Sequence, residues 1–184
     1  MDMNGKDRVH GEYVEGVLAR MVFTAEDIEF AARHNLVHTA YWGKADSCLE
    51  QLRSHQALIS FDYATKKDDP VVQRTLPFVD YAFFSFSGAK KDAQKYLAEV
   101  CANGPQVAVA TFGSEGSLAY DGQEFFTFGI YPAKVENTVG AGDAFIAGFM
   151  FGVLSGYTLQ NCLSAGARIA AAVVETFEPW QKTK

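Results

Sequence analysis

The chain has 184 residues, which is enough for one domain with at most a small appendage. Hydrophobic residues make up 48% of the sequence and charged residues 21%, a composition typical of a soluble globular domain and unlike that of a disordered chain. The formal net charge of -6 argues against a protein that binds nucleic acid or an anionic membrane.

The cysteines and the N-terminus indicate where the protein works. Cys48, Cys101 and Cys162 are odd in number and far apart, so we expect free thiols and no structural zinc site. Residues 1–16 are too polar for a signal peptide, and the apolar stretch 144–154 is too short to span a bilayer. We therefore expect a cytoplasmic protein without a membrane partner.

The first predicted element is a β-hairpin or a pair of edge strands in residues 1–17. Asn4 and Gly5 supply the turn, and the residues that follow alternate loosely between polar and apolar. These strands have no visible core of their own. We expect them to pack on something else.

Helices and strands then alternate along the chain. A capping box formed by Thr24 and Asp27 predicts a helix that ends at about residue 34. Further helices are predicted at 44–54, 71–76 and 90–103, and strands at 36–42, 57–62, 79–85 and 106–112. Strands separated by helices imply parallel pairing, and strands without clean alternation imply helices on both faces of the sheet.

The pattern changes after residue 112. Asp121 and Gly122 give a strong signal for a two-residue turn between two antiparallel strands. A glycine-rich loop then runs into a predicted apolar helix at 144–154, and a last alanine-rich helix is predicted at 158–176. His38 lies inside an apolar strand and has no metal-like spacing to another histidine, so we predict a hydrogen-bonded core residue.

The glycine-rich loop is the segment that most clearly indicates chemistry. Gly140 and Gly142 let the backbone approach a ligand closely, and the free N–H groups of a helix N-terminus attract anions. Asp143 has two interpretations: a carboxylate that caps the helix, or a base beside a phosphate site. In an open α/β sheet, ligands bind beyond the carboxyl ends of the strands, where Trp42, Asp62, Ser85 and residues 111–113 all fall.

Two segments together resemble the ribokinase-like (PfkB) carbohydrate kinases. Residues 138–143, with Ala144, Phe145, Gly148 and Phe149, resemble the C-terminal signature of that family. Residues 111–117 resemble its nucleotide-contacting turn, and the two segments occur in the order that the family has. The resemblance implies an α/β fold and ATP-dependent phosphoryl transfer to a sugar-like hydroxyl.

The resemblance also implies a role for individual residues. Asp143 would be the catalytic base, and the amides of Gly140, Ala141 and Gly142 would form the anion hole. The nucleotide would be bordered by a further set of small and hydroxyl residues, namely Thr111, Gly113 and Gly116, with Thr138 near its phosphates and Gly166 beside the adenine. Ordinary close packing of helices explains Gly166 equally well.

Some positions depart from the family pattern and affect the expected cations. Asn137 stands where the family usually has Asp, which puts a monovalent-cation requirement in doubt. The family's Asn-x-x-Glu, associated with magnesium, reads Ser85-Phe86-Ser87-Gly88 here, so we expect no protein metal ligand and Mg2+ held mainly by phosphates and water. Asp62 has two explanations, a contact with a magnesium-bound water or a cap for the next loop, and we favour the cap.

The resemblance extends to a branch of the family and to only part of its fold. Residues 7–17, 36–46 and 59–70 and Trp180 resemble the fructoselysine 6-kinases, which implies a sugar or fructosamine substrate. The chain resembles the family from its lid strands to its end, so residues 1–17 would be lid strands that can pair two subunits into a homodimer, and residues 18–184 the C-terminal part of the kinase domain. The alternative is a catalytically incomplete nucleotide-binding fragment that needs a missing N-terminal half.

Overall fold

The computed structural model describes residues 2–4, 7–9 and 14–177. At the N-terminus, β1 (Asp2–Asn4) pairs antiparallel with β2 (Asp7–Val9) in a separate two-stranded sheet. Gly5, in the predicted turn, and residues 10–13 lie outside the described residues. The predicted strand element ends too late at residue 17, because Gly16, with φ +57°, begins a 3-10 helix at Gly16–Arg20.

The main sheet has six strands in the order in which they occur along the chain. They are β3 (Leu36–Ala40), β4 (Leu58–Asp62), β5 (Tyr81–Ser85), β6 (Val107–Thr111), β7 (Ser117–Tyr120) and β8 (Phe125–Phe128). The first four are parallel, and β6–β7 and β7–β8 are antiparallel. The prediction of a mostly parallel sheet followed by a hairpin is confirmed.

Within the described residues, six α-helices precede, connect or follow these strands. They are α1 (Ala25–Ala32), α2 (Leu49–Ser54), α3 (Pro70–Thr75), α4 (Lys90–Cys101), α5 (Ala141–Leu154) and α6 (Leu159–Val174). The predicted capping box is present, since Asp27 N donates to Thr24 Oγ1 at 3.2 Å and Thr24 N donates to Asp27 Oδ2 at 2.8 Å. The helix predicted from residue 44 begins later, because Lys44 has φ +56° and cannot belong to a right-handed helix.

Helices cover both faces of the sheet, as predicted. Helices α1 to α4 pack on one face, where Ile59, Phe61 and Phe84 are almost fully buried. Helices α5 and α6 pack on the other face against Phe83 and Val109. Neighbouring residues of β5 thus contribute to opposite cores. Within residues 14–177, no helix combines the length and hydrophobicity needed to cross a bilayer.

A buried carboxylate ties three strands together at the amino-terminal edge of the sheet. The Asp80 side chain is 1% exposed; its Oδ2 accepts a hydrogen bond from Ile59 N at 2.8 Å. Its Oδ1 accepts from Gln106 Nε2 at 2.8 Å and also contacts the guanidinium of Arg53. Burying a charged carboxylate is costly unless it is paired, and here a cation and two further donors satisfy it.

Candidate active site

The loop before α5 has the shape that the sequence predicts for an anion site. Gly140, at the N-cap of α5, has φ +79°, a conformation that favours glycine. Asn137 Oδ1 accepts a hydrogen bond from Val139 N at 3.0 Å, and Thr138 O accepts one from Ala141 N at 3.3 Å. The helix begins at Ala141, three residues earlier than predicted.

The first turn of α5 is open to solvent at its most important positions. Gly142 and Asp143 are both exposed, and a Cβ atom added to Gly142 would have no heavy atom within 4 Å. The first N–H groups of a helix have no partner within the helix. Ala141 N donates to Thr138 O in the preceding loop, so the N–H groups of Gly140 and Gly142 are the ones most open to a ligand. An anion can therefore reach the backbone beside the Asp143 carboxylate.

Asp62, at the carboxyl end of β4, lies close enough to Asp143 for their charges to interact. Burial raises the pKa of the Asp62 carboxyl above its usual value, a hydrogen bond from Ala64 N opposes this shift, and the negative charge of Asp143 adds to it. That hydrogen bond, to Asp62 Oδ1, measures 2.8 Å, so Asp62 does cap its loop as favoured from the sequence. Ala64 has φ +50°, and its carbonyl accepts Ser85 N at 2.7 Å, which holds the turn over the end of β5.

The charge of Asp143 also affects His38. Its Nδ1 lies 3.0 Å from the hydroxyl of the buried Ser60 on the neighbouring strand. Desolvation lowers the pKa of His38, and the Asp143 charge opposes that effect. The predicted hydrogen bond is present, but the prediction of a core residue is wrong: the residue is exposed because β3 is the edge of the six-stranded sheet.

The predicted nucleotide turn lies at the same edge of the sheet. Thr111 ends β6, and Gly113 begins a 3-10 turn with φ +57°. Gly116 has φ +89°, and a Cβ atom added there would lie 2.1 Å from the carbonyl oxygen of Phe128. Because β4 and β6 run parallel, this turn and Asp62 lie at the same, carboxyl edge of the sheet.

Gly166 is placed differently from the other predicted nucleotide residues. It is buried in the contact between α5 and α6, and an added Cβ would lie 2.8 Å from the carbonyl oxygen of Phe145. Close packing of the two helices therefore accounts for this glycine. Its contact with an adenine stays a prediction.

The structure adds two groups that the sequence did not connect with Asp143. Asp62 and His38 are 81 and 105 positions away from it in sequence, and the packing of α5 on the sheet brings them within range of its charge. The signal available beforehand was their position on neighbouring strands near the carboxyl edge. Within the described parts of the chain, no group of three or more His, Cys, Asp or Glu side chains is arranged to hold a metal ion.

Comparison with known proteins identifies the family. Residues 25–180 match the model of the pfkB family carbohydrate kinases. The chain belongs to this family.

Two curated relatives align with most of the chain. It is 34% identical over 180 residues to fructoselysine 6-kinase of Escherichia coli (strain K12), which is 98% of this chain and 69% of that enzyme. It is 31% identical over 153 residues to fructosamine kinase FrlD of Bacillus subtilis (strain 168), which is 83% of this chain and 54% of that enzyme.

Solved structures show the same fold. Arabidopsis thaliana ribokinase complexed with ribose and ATP superposes with a TM-score of 0.76 at 19% identity, over 85% of this chain and 55% of that one. Ribokinase from Thermotoga maritima gives a TM-score of 0.71 at 17% identity. The chain thus spans about half the length of the solved structures that it matches.

Proposed function

We propose that this chain carries the phosphoryl-transfer site of an ATP-dependent sugar kinase that acts on a fructosamine such as fructoselysine. One observation carries the proposal: an exposed carboxylate, Asp143, stands in the first turn of α5 directly beside the open backbone of Gly140 and Gly142. A base next to an anion site is what transfer of a phosphoryl group to a hydroxyl requires.

In the proposed reaction, Asp143 accepts the proton of the acceptor hydroxyl as that oxygen attacks the γ-phosphorus of ATP. A new bond forms between the oxygen and phosphorus, and the bond to the β-phosphate oxygen breaks, which releases ADP. The N–H groups of Gly140, Ala141 and Gly142 stabilise the charge on the moving phosphoryl group, and the positive end of the α5 dipole adds to this effect.

The nucleotide side of the proposed site is the turn after β6. Thr111, Gly113 and Gly116 would border the nucleotide and Thr138 its phosphates. This assignment is supported because the turn shares the carboxyl edge of the sheet with Asp62, whose charge interacts with that of Asp143. Magnesium would be held through the phosphates and water, since hard oxygen ligands suit it and it retains bound water readily. It would neutralise phosphate charge during transfer.

The nature of the acceptor is supported by the relatives. The identities of 34% to a fructoselysine 6-kinase and 31% to a fructosamine kinase point to a sugar that carries an amine substituent. The two-stranded sheet of β1 and β2, separate from the main sheet, is what supports the N-terminal segment as lid strands and as a surface for homodimer formation.

The test is substitution of the proposed base in the full-length protein. Asp143→Asn should lower turnover with fructoselysine by at least about a hundredfold, because general-base catalysis contributes that much or more. Its affinity for ADP, measured by calorimetry, should stay within about twofold of wild type, since a neutral amide leaves the backbone amides in place. A variant that keeps wild-type turnover would show that Asp143 is not the base.

A second candidate function is nucleotide binding without catalysis. The observation that favours it is the outer edge of β3, which has no strand neighbour among the described residues, together with the shorter length of the chain relative to the solved kinases. A catalytically incomplete fragment would bind ADP but transfer no phosphate to fructoselysine or to a panel of sugars unless a polypeptide that supplies the missing N-terminal half is added.

A further inference from the structure

Two partly or fully buried carboxylates, Asp80 and Asp62, differ in how their negative charge is balanced by neighbouring groups. Asp80 contacts a guanidinium and accepts hydrogen bonds from an amide side chain and a backbone N–H. Within residues 14–177, Asp62 accepts one hydrogen bond, from Ala64 N. Among the ion pairs formed within residues 14–177, none involves Asp62 or Asp143.

The surroundings of Asp62 increase this excess of negative charge. Asp143 brings a second carboxylate, and desolvation lowers the pKa of His38, so the imidazole is neutral at neutral pH. Lys66, in the loop after β4, is engaged elsewhere: its ammonium lies 5.6 Å from the centre of the Tyr41 ring and 5.4 Å from that of Trp42. A carboxylate in such a place lowers stability unless a ligand supplies the missing positive charge.

The positions of the phosphate site and of Asp62 limit which part of a ligand could supply this positive charge. The anionic phosphates belong at the backbone of residues 140–142, on the α5 side of the site. Asp62 is fixed by its own turn at the end of β4, where Oδ1 accepts a hydrogen bond from Ala64 N, and within residues 14–177 Oδ2 accepts no hydrogen bond. If the phosphates bind there as proposed, a ligand group that lies between Asp62 and Asp143 would belong to the phosphate acceptor and not to the nucleotide.

We infer that Asp62 binds the positively charged amine of the acceptor and makes the site selective for amine-bearing sugars over neutral ones. The inference rests on the proposed function and names the substrate class of the same site. A hydrogen bond between two charged groups is stronger than one between neutral groups, so the carboxylate discriminates by charge as well as by shape.

The experiment compares selectivity in the full-length protein. Asp62→Asn keeps a carbonyl oxygen for Ala64 N and nearly the same volume, but it removes the charge. The ratio of kcat/KM for fructoselysine to kcat/KM for fructose should fall about ten- to a hundredfold, the range expected for loss of a charged hydrogen bond. Asp68→Asn is the matched control: it removes a highly exposed carboxylate from the same loop and should leave the ratio unchanged.

The outcomes separate this inference from the proposed function. An unchanged ratio in Asp62→Asn overturns the inference, and if both rates fall together while the Mg2+ requirement rises, Asp62 serves the hydrated metal instead. If wild type phosphorylates neither sugar, the proposed function fails, and calorimetric titration of wild type and Asp62→Asn with both sugars in the presence of ADP still decides the inference. There, a loss of affinity confined to fructoselysine supports it, and equal affinities overturn it.

Discussion

Gly142 is a position where packing does not require glycine but the proposed phosphate binding does. An added Cβ would enter open space there, whereas the same change at Gly166 would place an atom 2.8 Å from the Phe145 carbonyl oxygen. Both residues are small, but only the size of Gly166 is explained by packing inside the protein. The open space at Gly142 is expected to hold a phosphate oxygen.

Gly142→Ala should therefore keep or raise stability while it lowers activity. Alanine is favoured over glycine in a helix by up to about 1 kcal/mol, so the free energy of unfolding, measured in urea, should not fall. Turnover should fall at least about tenfold, because the methyl group keeps the phosphoryl group away from its N–H donors. A stable variant with full turnover would place the phosphate elsewhere; Gly166→Ala, in contrast, should lose stability.

The pKa of Asp62 gives a prediction that does not depend on activity. Its carboxyl is raised above the usual value of 3.8, so the folded protein binds this proton more tightly than the unfolded chain. Stability is therefore lost as pH rises from about 3.8 through the raised pKa. Asp62→Asn removes this loss, and the melting temperature of the variant should exceed that of wild type at pH 7, with the difference shrinking as pH falls toward 4. A variant less stable than wild type at pH 7 would contradict the prediction.

Among the elements, the β7–β8 hairpin depends on one glycine at its entrance. Gly116 has φ +89°, and Phe128 O occupies the space that a side chain would need. Gly122, in the turn at the far end of the hairpin, has φ +88° but no atom near an added Cβ. Both glycines thus have a positive φ, but only Gly116 has a neighbouring atom where a side chain would lie.

Gly116→Ala should cost more stability than Gly122→Ala. The backbone conformation alone costs about 1–2 kcal/mol in each variant, and the clash with Phe128 adds at least about 1 kcal/mol at position 116. Denaturant unfolding of both variants measures the difference directly. Equal losses would mean that the end of β8 moves aside freely.

The sequence predicted elements well where the signals are local, and less well where they depend on neighbours. The Thr24–Asp27 capping box and the run of strands and helices needed only nearby residues. Lys44 stopped a predicted helix because its φ is positive, and periodicity carries no sign of that. The exposure of His38 and the closeness of Asp62 to Asp143 depend on sheet order and on the packing of α5, which no local pattern contains.

On the scale of the whole molecule, the central strands of the main sheet are buried and its edge strand β3 is accessible to solvent. Residues in the middle of β4, β5 and β6 are almost fully buried, whereas every residue of β3 is at least partly accessible. Within the described residues β3 has one strand neighbour, so the amides on its outer side have no ladder partner.

Hydrogen exchange should follow this order. Peptides from β5 and β6 should exchange most slowly, since they open only with global unfolding, and the peptide covering Leu36–Ala40 should exchange at least about tenfold faster. Mass spectrometry after a time course in deuterated buffer gives the comparison. Equal protection of β3 and β6 would show that another segment covers the β3 edge in solution.

The hydrogen bonds and the ion pair of Asp80 predict how variants of this protein lose function. Because one side chain anchors β4, β5 and β6 at the amino-terminal edge of the sheet, substitution of Arg53 or Gln106 should reduce the amount of correctly folded protein and leave the chemical step unchanged. Substitutions near the carboxyl ends of the same strands should instead lower phosphorylation and leave the amount of folded protein unchanged. A screen that scores cellular abundance and phosphorylation separately would divide the two classes of variant along the length of the strands.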